Sequence, residues 1–282
     1  MNGPRSTLTV KDLVLRPGAA PISVGLEPGE RMAVVGPAGS GKSELLRLLA
    51  GDAPAPRGCV WCSGEAALAK LPRVPPLATA QSLVQRVRGR KPSPSMLTEA
   101  LTALGLWEHR KTPLTRLSPS QRCSAELLPY LAVPPEVLLI DGLLEELDPW
   151  ATRATLQLLD RLCVKGMALV CATRNPSFAQ GWDAVLALHR GGRAFLGTIQ
   201  ELLHRVREVR ALVSSDAHPA ARALLEPFQV RVEQKDGYTW LIAPAGQETA
   251  AKLLVEGYSD VEAVAVRSPT VADALFDLIP EP

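Results

Sequence analysis

A short glycine-rich stretch, "GPAGSGKS", has the residue types and the spacing of a phosphate-binding loop, G-x-x-x-x-G-K-[ST]. Glycines let such a loop curl so that its backbone N–H groups face an anion, and the helix that follows adds the positive end of its dipole. Lys42 can then reach the β- and γ-phosphates of a nucleotide, and the Ser43 hydroxyl can ligate Mg²⁺. The nucleotide-binding residues that this stretch predicts are Gly36, Pro37, Ala38, Gly39, Ser40, Gly41, Lys42, Ser43 and Glu44.

A carboxylate that can share the metal ion is Asp141, the last residue of the apolar run "VLLID". A carboxylate at the end of an inner strand can hold Mg²⁺ directly or through water. Taken alone, such a residue would be interpreted as a surface aspartate. Beside the phosphate loop it predicts a metal site formed by Ser43 and Asp141.

The surrounding elements have the order that the loop requires. An apolar strand, "RMAVVG", precedes the loop, and a helix pattern, "ELLRLLAG", follows it. Further along, "EVLLID", "MALVCAT" and "AVLALH" are typical of buried strands, and a helix pattern, "PWATRATLQLLDRLCVKG", separates the first two. Strands that alternate with helices in this way predict an α/β fold with a parallel sheet covered on both faces.

The chain divides into two predicted domains. We expect the nucleotide-binding domain to span residues 1–205, with a mostly helical subdomain at about 78–132 and short strands over 7–35 that form an antiparallel β subdomain. From residue 206 the pattern restarts with four strand-like and three helix-like segments. These segments predict a small α+β domain over residues 206–282.

Composition limits the class of protein. The 282 residues are 46% hydrophobic, which is ample for a buried core. Lys and Arg total 31 against 29 Asp and Glu, and a net charge of +2 gives no support for a nucleic-acid partner. No stretch resembles a secretory signal or approaches the roughly 20 apolar residues of a membrane span, so we expect a cytoplasmic protein.

The five cysteines do not indicate a metal or disulfide framework. Their number is odd, and the pair in "CVWC" lacks the second close pair that a zinc site of this type needs. Strand alternation explains the segment, with Cys59 and Trp61 on one face and Val60 and Cys62 on the other.

With these motifs, the chain resembles the ATPase subunits of ATP-binding cassette (ABC) transporters over roughly residues 5–203. "LSPSQ" stands where that family carries its signature, L-S-G-G-Q, and "ELDPW" supplies its D-loop. "VCATRN" resembles the strand that ends in the switch histidine, and "LPRVPPL" resembles the Q-loop. The C-terminal unit is similar to the small domain of many ABC-2-type exporter subunits. The signature and D-loop residues implied by the resemblance are Ser118, Pro119, Ser120, Gln121 and Asp148.

Two departures from the family pattern concern catalysis. Gly142 occupies the position of the family's catalytic glutamate, and a glycine can neither position nor polarise the attacking water. Arg174 replaces the switch histidine; it stays protonated and cannot act as a base. It can either donate hydrogen bonds to a γ-phosphate or pair with a nearby acid on the surface. Glu145 and Glu146 are the acids that follow Gly142 in sequence.

Other departures concern binding. Ser118 suits a helix N-cap and Pro119 the first helical position, but Pro119 has no N–H to offer a partner's phosphate and Ser120 is bulkier than glycine. Arg73 replaces the Q-loop glutamine, and Arg16 stands near the place of an aromatic residue that stacks on adenine. Arg16 either stacks by a cation–π contact or is solvated.

In that family two cassettes pair head to tail, each ATP is held between one phosphate loop and the other signature, and the pair drives membrane subunits. The resemblance therefore implies an ATP-binding subunit of an ABC-type exporter that binds ATP and Mg²⁺ with weak or absent hydrolysis. Its partners would be transmembrane permease subunits, docked at residues 73–110, and a second cassette. We favour a heterodimer, since two copies would place two altered signatures on two altered sites.

This subunit would lie in the cytoplasm at the inner face of the membrane, held there by its partners. Two alternatives stay open. In the first alternative, the chain is an active ATPase that uses unconventional residues, with Glu145 as the base. In the second, it is a cassette-shaped scaffold that recruits partners without a transporter.

Overall fold

The computed structural model describes residues 6–70, 77–89, 91–179, 181–204, 208–213, 223, 231–235, 238–244, 264–267 and 270–279. The chain clusters into two compact units, Met1–Ile199 and Gln200–Pro282. The division into domains of residues 1–205 and 206–282 stays a prediction.

In the first unit, the strand that ends at Asp141 is followed by a helix and then by the strand that begins at Ala168, as the sequence predicts. The strands are β1 (Leu8–Leu13), β2 (Ile22–Leu26), β3 (Arg31–Val35), β4 (Cys59–Cys62), β5 (Ala66–Leu68), β6 (Val137–Asp141), β7 (Ala168–Ala172), β8 (Ala184–His189) and β9 (Gly192–Gly197). The helices are α1 (Lys42–Leu49), α2 (Ala80–Arg88), α3 (Pro94–Ala103), α4 (Pro119–Ala132) and α5 (Pro149–Val164).

The central sheet has six strands in the order β5-β6-β7-β3-β8-β9. The first five run parallel, and the inner strands β6, β7, β3 and β8 are almost entirely buried. Strand β9 pairs with β8 in the antiparallel sense, which sequence analysis did not predict. A two-residue turn joins these strands, with Arg190 at φ 50° and Gly191 at φ 82°, and a turn this short can connect only antiparallel neighbours.

A smaller antiparallel sheet, in the order β2-β1-β4, covers the phosphate-loop helix. Its inward-facing side chains share one hydrophobic core with the α1 leucines and with the central strands. In β4 the alternation is confirmed, because Cys59 and Trp61 are exposed whereas Val60 and Cys62 are half-buried. No cluster of His, Cys, Asp or Glu suited to a metal ion occurs among the residues that the structure describes.

Helices α2, α3 and α4 form the predicted helical part. Arg88, at the end of α2, connects two of these helices, and its side chain is only 6% exposed. Its guanidinium donates to both Glu65 carboxylate oxygens at 2.5 Å, donates to Val133 O at 3.1 Å and lies 5.5 Å from the centre of the Tyr130 ring. This arginine therefore ties α2 to α4 and to the turn before β5.

The second unit contains a four-stranded antiparallel sheet. Its described elements are α6 (Ile199–Leu203, which begins at the last residue of the first unit), β10 (Glu208–Val213), β11 (Arg231–Lys235), β12 (Tyr238–Pro244), β13 (Val264–Arg267) and α7 (Val271–Leu278), with strand order β11-β12-β10-β13. Of two further predicted helices, "HPAARALLEPF" is described only at Ala223, which is helical, and "ETAAKLLVEGY" lies outside the described residues. The predicted fold class, an α/β phosphate-loop domain with a small α+β domain, is confirmed. No described helix is long and apolar enough to cross a membrane.

Candidate nucleotide-binding site

The phosphate loop runs from the end of β3 to the start of α1 and is shaped by three glycines. Gly36, Gly39 and Gly41 have φ values of 146°, 73° and 103°, which side chains other than glycine rarely adopt. A Cβ atom on Gly36 would lie 2.2 Å from the Leu188 carbonyl oxygen, whereas one on Gly39 would meet nothing within 4 Å. Gly36 is thus required by space as well as by backbone conformation.

The loop carries a row of unpaired backbone donors. Ser40 N–H donates to Pro37 O at 3.2 Å, and Leu45 N–H donates to Gly41 O at 2.8 Å. The first turn of α1, which begins at Lys42, also supplies the positive end of the helix dipole. From Ala38 to Glu44, all of which the structure describes, the backbone N–H groups without an acceptor are those of Ala38, Gly39, Gly41, Lys42, Ser43 and Glu44. This arrangement suits an anion with several oxygen atoms.

Lys42 lies against the loop that precedes it. Its Nζ atom donates to Gly36 O at 2.6 Å and to Pro37 O at 2.9 Å. Burial lowers the pKa of Lys42, and the negative charges of Asp141 and Glu145 oppose that shift. The ammonium group is partly desolvated at the edge of an anion site, so a phosphate would be a favourable additional partner.

Asp141 reaches the same edge of the sheet as the loop. It ends β6 and pairs with Ala172 at the end of β7, and β7 in turn is the neighbour of β3. The carboxyl ends of three adjacent parallel strands therefore meet here. The exposed Ser43 hydroxyl and the half-buried Asp141 carboxylate are oxygen ligands of the kind that Mg²⁺ prefers.

Gly142 follows Asp141 in a left-handed conformation, with φ 69°. Its N–H donates to Ala172 O at 3.0 Å, and it begins the 3₁₀ turn Leu143–Glu146. A Cβ atom at this position would meet nothing within 4 Å. The site therefore has no side chain here, but it has space for one.

Glu145 makes a hydrogen-bonded network that sequence analysis missed. Its Oε1 atom accepts from Thr173 Oγ1 at 2.5 Å, from the Arg174 N–H at 2.6 Å and from the Asn175 N–H at 3.4 Å. Its Oε2 atom accepts from Arg174 Nε at 3.0 Å, and its side chain is 12% exposed. Burial acts to raise the pKa of Glu145, but these hydrogen bonds outweigh it and hold the pKa below its usual value.

Arg174 pairs with acids, which is one of the two alternatives that the sequence left open. It lies 3.0 Å from Glu145 and 3.4 Å from Glu146, with a side chain that is 68% exposed. The Q-loop residue Arg73 lies outside the described residues.

The signature segment begins a helix as predicted. Ser118 is the N-cap of α4 with Pro119 at the first position; Ser118 Oγ accepts from Gln121 N–H at 3.3 Å, and Gln121 Oε1 accepts from Ser118 N–H at 3.0 Å. Asp148 caps α5 in the same way, because one carboxylate oxygen accepts from Trp150 N–H at 3.0 Å and from Ala151 N–H at 2.9 Å. These polar groups are already used within their own helices.

Arg16 lies against the phosphate loop. Its guanidinium donates to Gly39 O at 3.2 Å and lies 3.7 Å from the Glu44 carboxylate, with half of the side chain exposed. The sequence could have indicated this contact only through the turn "RPGAAP", which brings the chain back after β1.

Known proteins of one family are similar to this chain. The family model described as ABC transporter matches residues 19–144. The lipoprotein-releasing system ATP-binding protein LolD 1 of Rhodospirillum rubrum is 31% identical over 192 residues, which cover 59% of this chain and 84% of that protein. The hemin import ATP-binding protein HmuV of Pseudomonas fluorescens is 31% identical over 209 residues, covering 65% and 82%.

Not all relatives are of similar length. A putative ABC transporter ATP-binding protein of Bifidobacterium longum is 27% identical over 196 residues, and the match spans about a quarter of that protein (25%) and 60% of this chain. A solved ATP-binding subunit of an ABC transporter superposes with a TM-score of 0.64 at 20% identity, covering 71% of this chain and 93% of that one, which supports the fold. The two relatives at 31% identity, each matched over more than two thirds of its length, show that this chain belongs to the ABC transporter ATP-binding proteins.

Proposed function

We propose that this chain is the nucleotide-binding subunit of an ABC-type membrane transporter, and that it binds Mg-ATP while hydrolysing it slowly or not at all. One observation carries the proposal. The phosphate loop has unpaired donors and a positioned lysine, whereas Gly142 has no side chain and Glu145 already accepts four hydrogen bonds.

Binding rests on the loop residues from Gly36 to Glu44. The unpaired N–H groups and Lys42 would hold the phosphates, and Ser43 and Asp141 would hold Mg²⁺. When bound, the ion neutralises charge on the β- and γ-phosphate oxygens.

Weak hydrolysis follows from the lack of a base. A base must have a free lone pair within reach of the attacking water. Gly142 offers none, and the Glu145 carboxylate is held in place by hydrogen bonds from Thr173, Arg174 and Asn175. A carboxylate whose pKa is lowered is also a weaker proton acceptor. These facts weigh against the alternative in which Glu145 replaces the missing glutamate.

Arg174 would serve ATP retention. Its exposed guanidinium is held by Glu145 and Glu146 beside the loop, and the charge of Arg174 reaches Lys42. A γ-phosphate would compete with these carboxylates for the same guanidinium. Such a contact favours bound ATP without activating water.

The partners would be a second cassette and transmembrane permease subunits, with docking at residues 73–110 and a location at the inner face of the membrane. The relatives named above belong to a lipoprotein-releasing system and to hemin import, so the transport direction of this chain is not fixed by them, and an exporter stays a prediction. A heterodimer is favoured because Pro119 removes a donor from the signature, and a partner with an intact signature would complete the pocket.

Binding is tested by calorimetric titration with Mg-ATP. The unaltered chain should bind, and Lys42→Ala should bind about 100-fold more weakly, since one or two charge-assisted hydrogen bonds are lost. Lys11→Ala, which removes an exposed charge from β1, is the matched control and should bind normally. Equal affinity in the Lys42 and Lys11 variants would remove the phosphate loop from the proposal.

Hydrolysis is tested at Gly142. Gly142→Glu should raise turnover at least about tenfold, part of the 10²–10⁴ factor that a positioned base supplies. Gly142→Gln has the same shape without the base, and Gly142→Ala carries only the left-handed strain, so neither should gain activity. Turnover of roughly one per second or faster by the unaltered chain, in the range of ordinary enzymes, would overturn the proposal.

The alternatives have their own outcomes. If Glu145 were the base, Glu145→Gln would abolish turnover that the unaltered chain shows. If the chain were a scaffold, a gentle detergent pull-down would recover it without any multi-span membrane protein.

A further inference from the structure

Arg16 is a second cation bound to the phosphate loop. It donates to the carbonyl of Gly39, in the middle of the loop, whereas Lys42 holds the carbonyls of Gly36 and Pro37 at its start. The two cations therefore flank the row of unpaired N–H groups at different points.

The position of Arg16 is fixed by the turn between β8 and β9. Gly191 in that turn donates its N–H to Ser40 O at 3.0 Å, which ties the turn to the loop. A Cβ atom on Gly191 would lie 2.9 Å from Cδ and 3.0 Å from Cγ of Arg16, so the arginine methylenes rest against this glycine. The neighbouring Leu15 is 3% exposed and anchors the backbone in the core.

Most donors of Arg16 are available to a ligand. A guanidinium has five N–H groups. One of its nitrogens bonds Gly39 O at 3.2 Å, and its Glu44 partner lies 3.7 Å from Nε, too far for a hydrogen bond. The side chains of Arg16 and Glu44 are 49% and 44% exposed, so their attraction is screened by water.

We propose that Arg16 is a nucleotide-binding residue that contacts the polyphosphate, and that binding draws its guanidinium away from Glu44. The inference rests on the proposed function, since it requires the loop to bind a nucleotide. A triphosphate carries several negative charges, and it offers bidentate oxygen pairs that match a guanidinium better than one distant carboxylate does. Arg16 recognises the anionic chain of the ligand and leaves the base to other groups.

Two probes separate this contact from a contact with the base. Dissociation constants are measured for Mg-ATP and for Mg-tripolyphosphate, which has the phosphates but no base. Arg16→Gln should weaken both by a similar factor, about fivefold, which is a charged hydrogen bond discounted for exposure. Arg16→Lys should recover part of the loss because it keeps the charge. Arg153→Gln, which removes an exposed charge from α5, should change neither constant.

Other outcomes would overturn the inference. Weaker ATP binding with unchanged tripolyphosphate binding would place Arg16 on the base or ribose, and unchanged binding of both would leave it without a ligand. If tripolyphosphate binds too weakly to titrate, the dependence of ATP affinity on ionic strength provides the test. The affinity for ATP should fall less steeply with ionic strength in Arg16→Gln than in the unaltered chain. Equal slopes would contradict a phosphate contact.

A second variant tests whether Arg16 merely neutralises Glu44. In a Glu44→Gln background there is no carboxylate to neutralise, and a phosphate contact would still be lost in Arg16→Gln. We expect the fivefold loss to persist there, whereas its disappearance would refute the proposal. Binding that depends on Lys42 but not on Arg16 would defeat this inference alone, and binding that depends on neither would defeat the proposed function as well.

Discussion

The phosphate loop and the pair of turns beside it differ in how many of their hydrogen-bond donors have no acceptor. From Ala38 to Glu44, six backbone N–H groups have no acceptor within the described part of the chain. In the paired turns, residues 142–146 and 173–175, the Gly142 N–H is bonded to Ala172 O and Glu145 collects the donors of Thr173, Arg174 and Asn175. The phosphate loop is thus arranged to bind a ligand, whereas the donors named in the paired turns are bonded to acceptors within the chain.

The two glycines at the strand ends show the same difference. Gly36 has its missing side chain's space filled by the Leu188 carbonyl, whereas the space beside Gly142 is open. The loop therefore tolerates no change at its first position without moving its neighbours. At Gly142, only the backbone conformation limits which side chain can be present. The packing of the protein therefore constrains the phosphate loop, but it does not prevent a carboxylate at residue 142.

The largest effect should come from Gly36→Ala. A methyl group would meet Leu188 O at 2.2 Å in a backbone conformation that alanine avoids, and these two terms together destabilise by about 3 kcal/mol. Urea denaturation measures that loss, and calorimetry should detect no ATP binding by the variant.

Gly39→Ala is the matched variant for this comparison. It has the left-handed φ of 73° but nothing within 4 Å of an added Cβ, so it should lose only about 1 kcal/mol and keep part of its affinity for ATP. Equal losses in the two alanine variants would show that the Leu188 contact does not constrain the loop.

Local features of the site could be predicted from the sequence because they depend on neighbours in the chain. The loop, the start of α1 at Lys42, the N-cap Ser118 and the first-turn Pro119 all follow from short spacings. The strand end at Asp141 follows from a single apolar run.

Contacts between distant segments could not be predicted in this way. Glu145 and Thr173 are 28 residues apart, and they meet only because β6 and β7 are neighbours in the sheet. Arg16 reaches Gly39 only because the turn that contains Gly191 packs on the loop and leaves room for the arginine methylenes. A single sequence contains the residue types for both contacts but not the strand order that brings them together.

A smaller effect should come from Glu145→Gln, which tests whether the paired turns depend on charge. The variant should lose about 1–2 kcal/mol of unfolding free energy at pH 7, since hydrogen bonds to a charged acceptor are replaced by weaker ones. The pKa of Glu145 is lowered in the folded state, so the unfolded chain takes up the proton first as the pH falls. The stabilisation is therefore complete above the ordinary glutamate range and fades below about pH 4.5.

Urea denaturation of both proteins at several pH values between 7 and 3 measures this difference. The gap in stability between the unaltered chain and Glu145→Gln should narrow as the pH falls. A gap that stays constant across the whole range would mean that shape, not charge, holds the turns together.

The smallest effects should come from the helix caps. The signature and D-loop residues that form these caps resemble the paired turns, because their polar groups are already hydrogen-bonded within the chain. Ser118→Ala removes one capping acceptor and should lower stability by about 1 kcal/mol. Asp148→Ala removes an acceptor of two N–H groups together with a favourable charge at the N-terminus of α5, so its loss should be slightly larger. Neither variant should change the affinity of the isolated chain for Mg-ATP, because these oxygens are bonded within their own helices. A several-fold loss of affinity with unchanged stability would instead place the cap residues in the nucleotide pocket of the single chain, and the contrast between an open loop and closed surroundings would no longer hold.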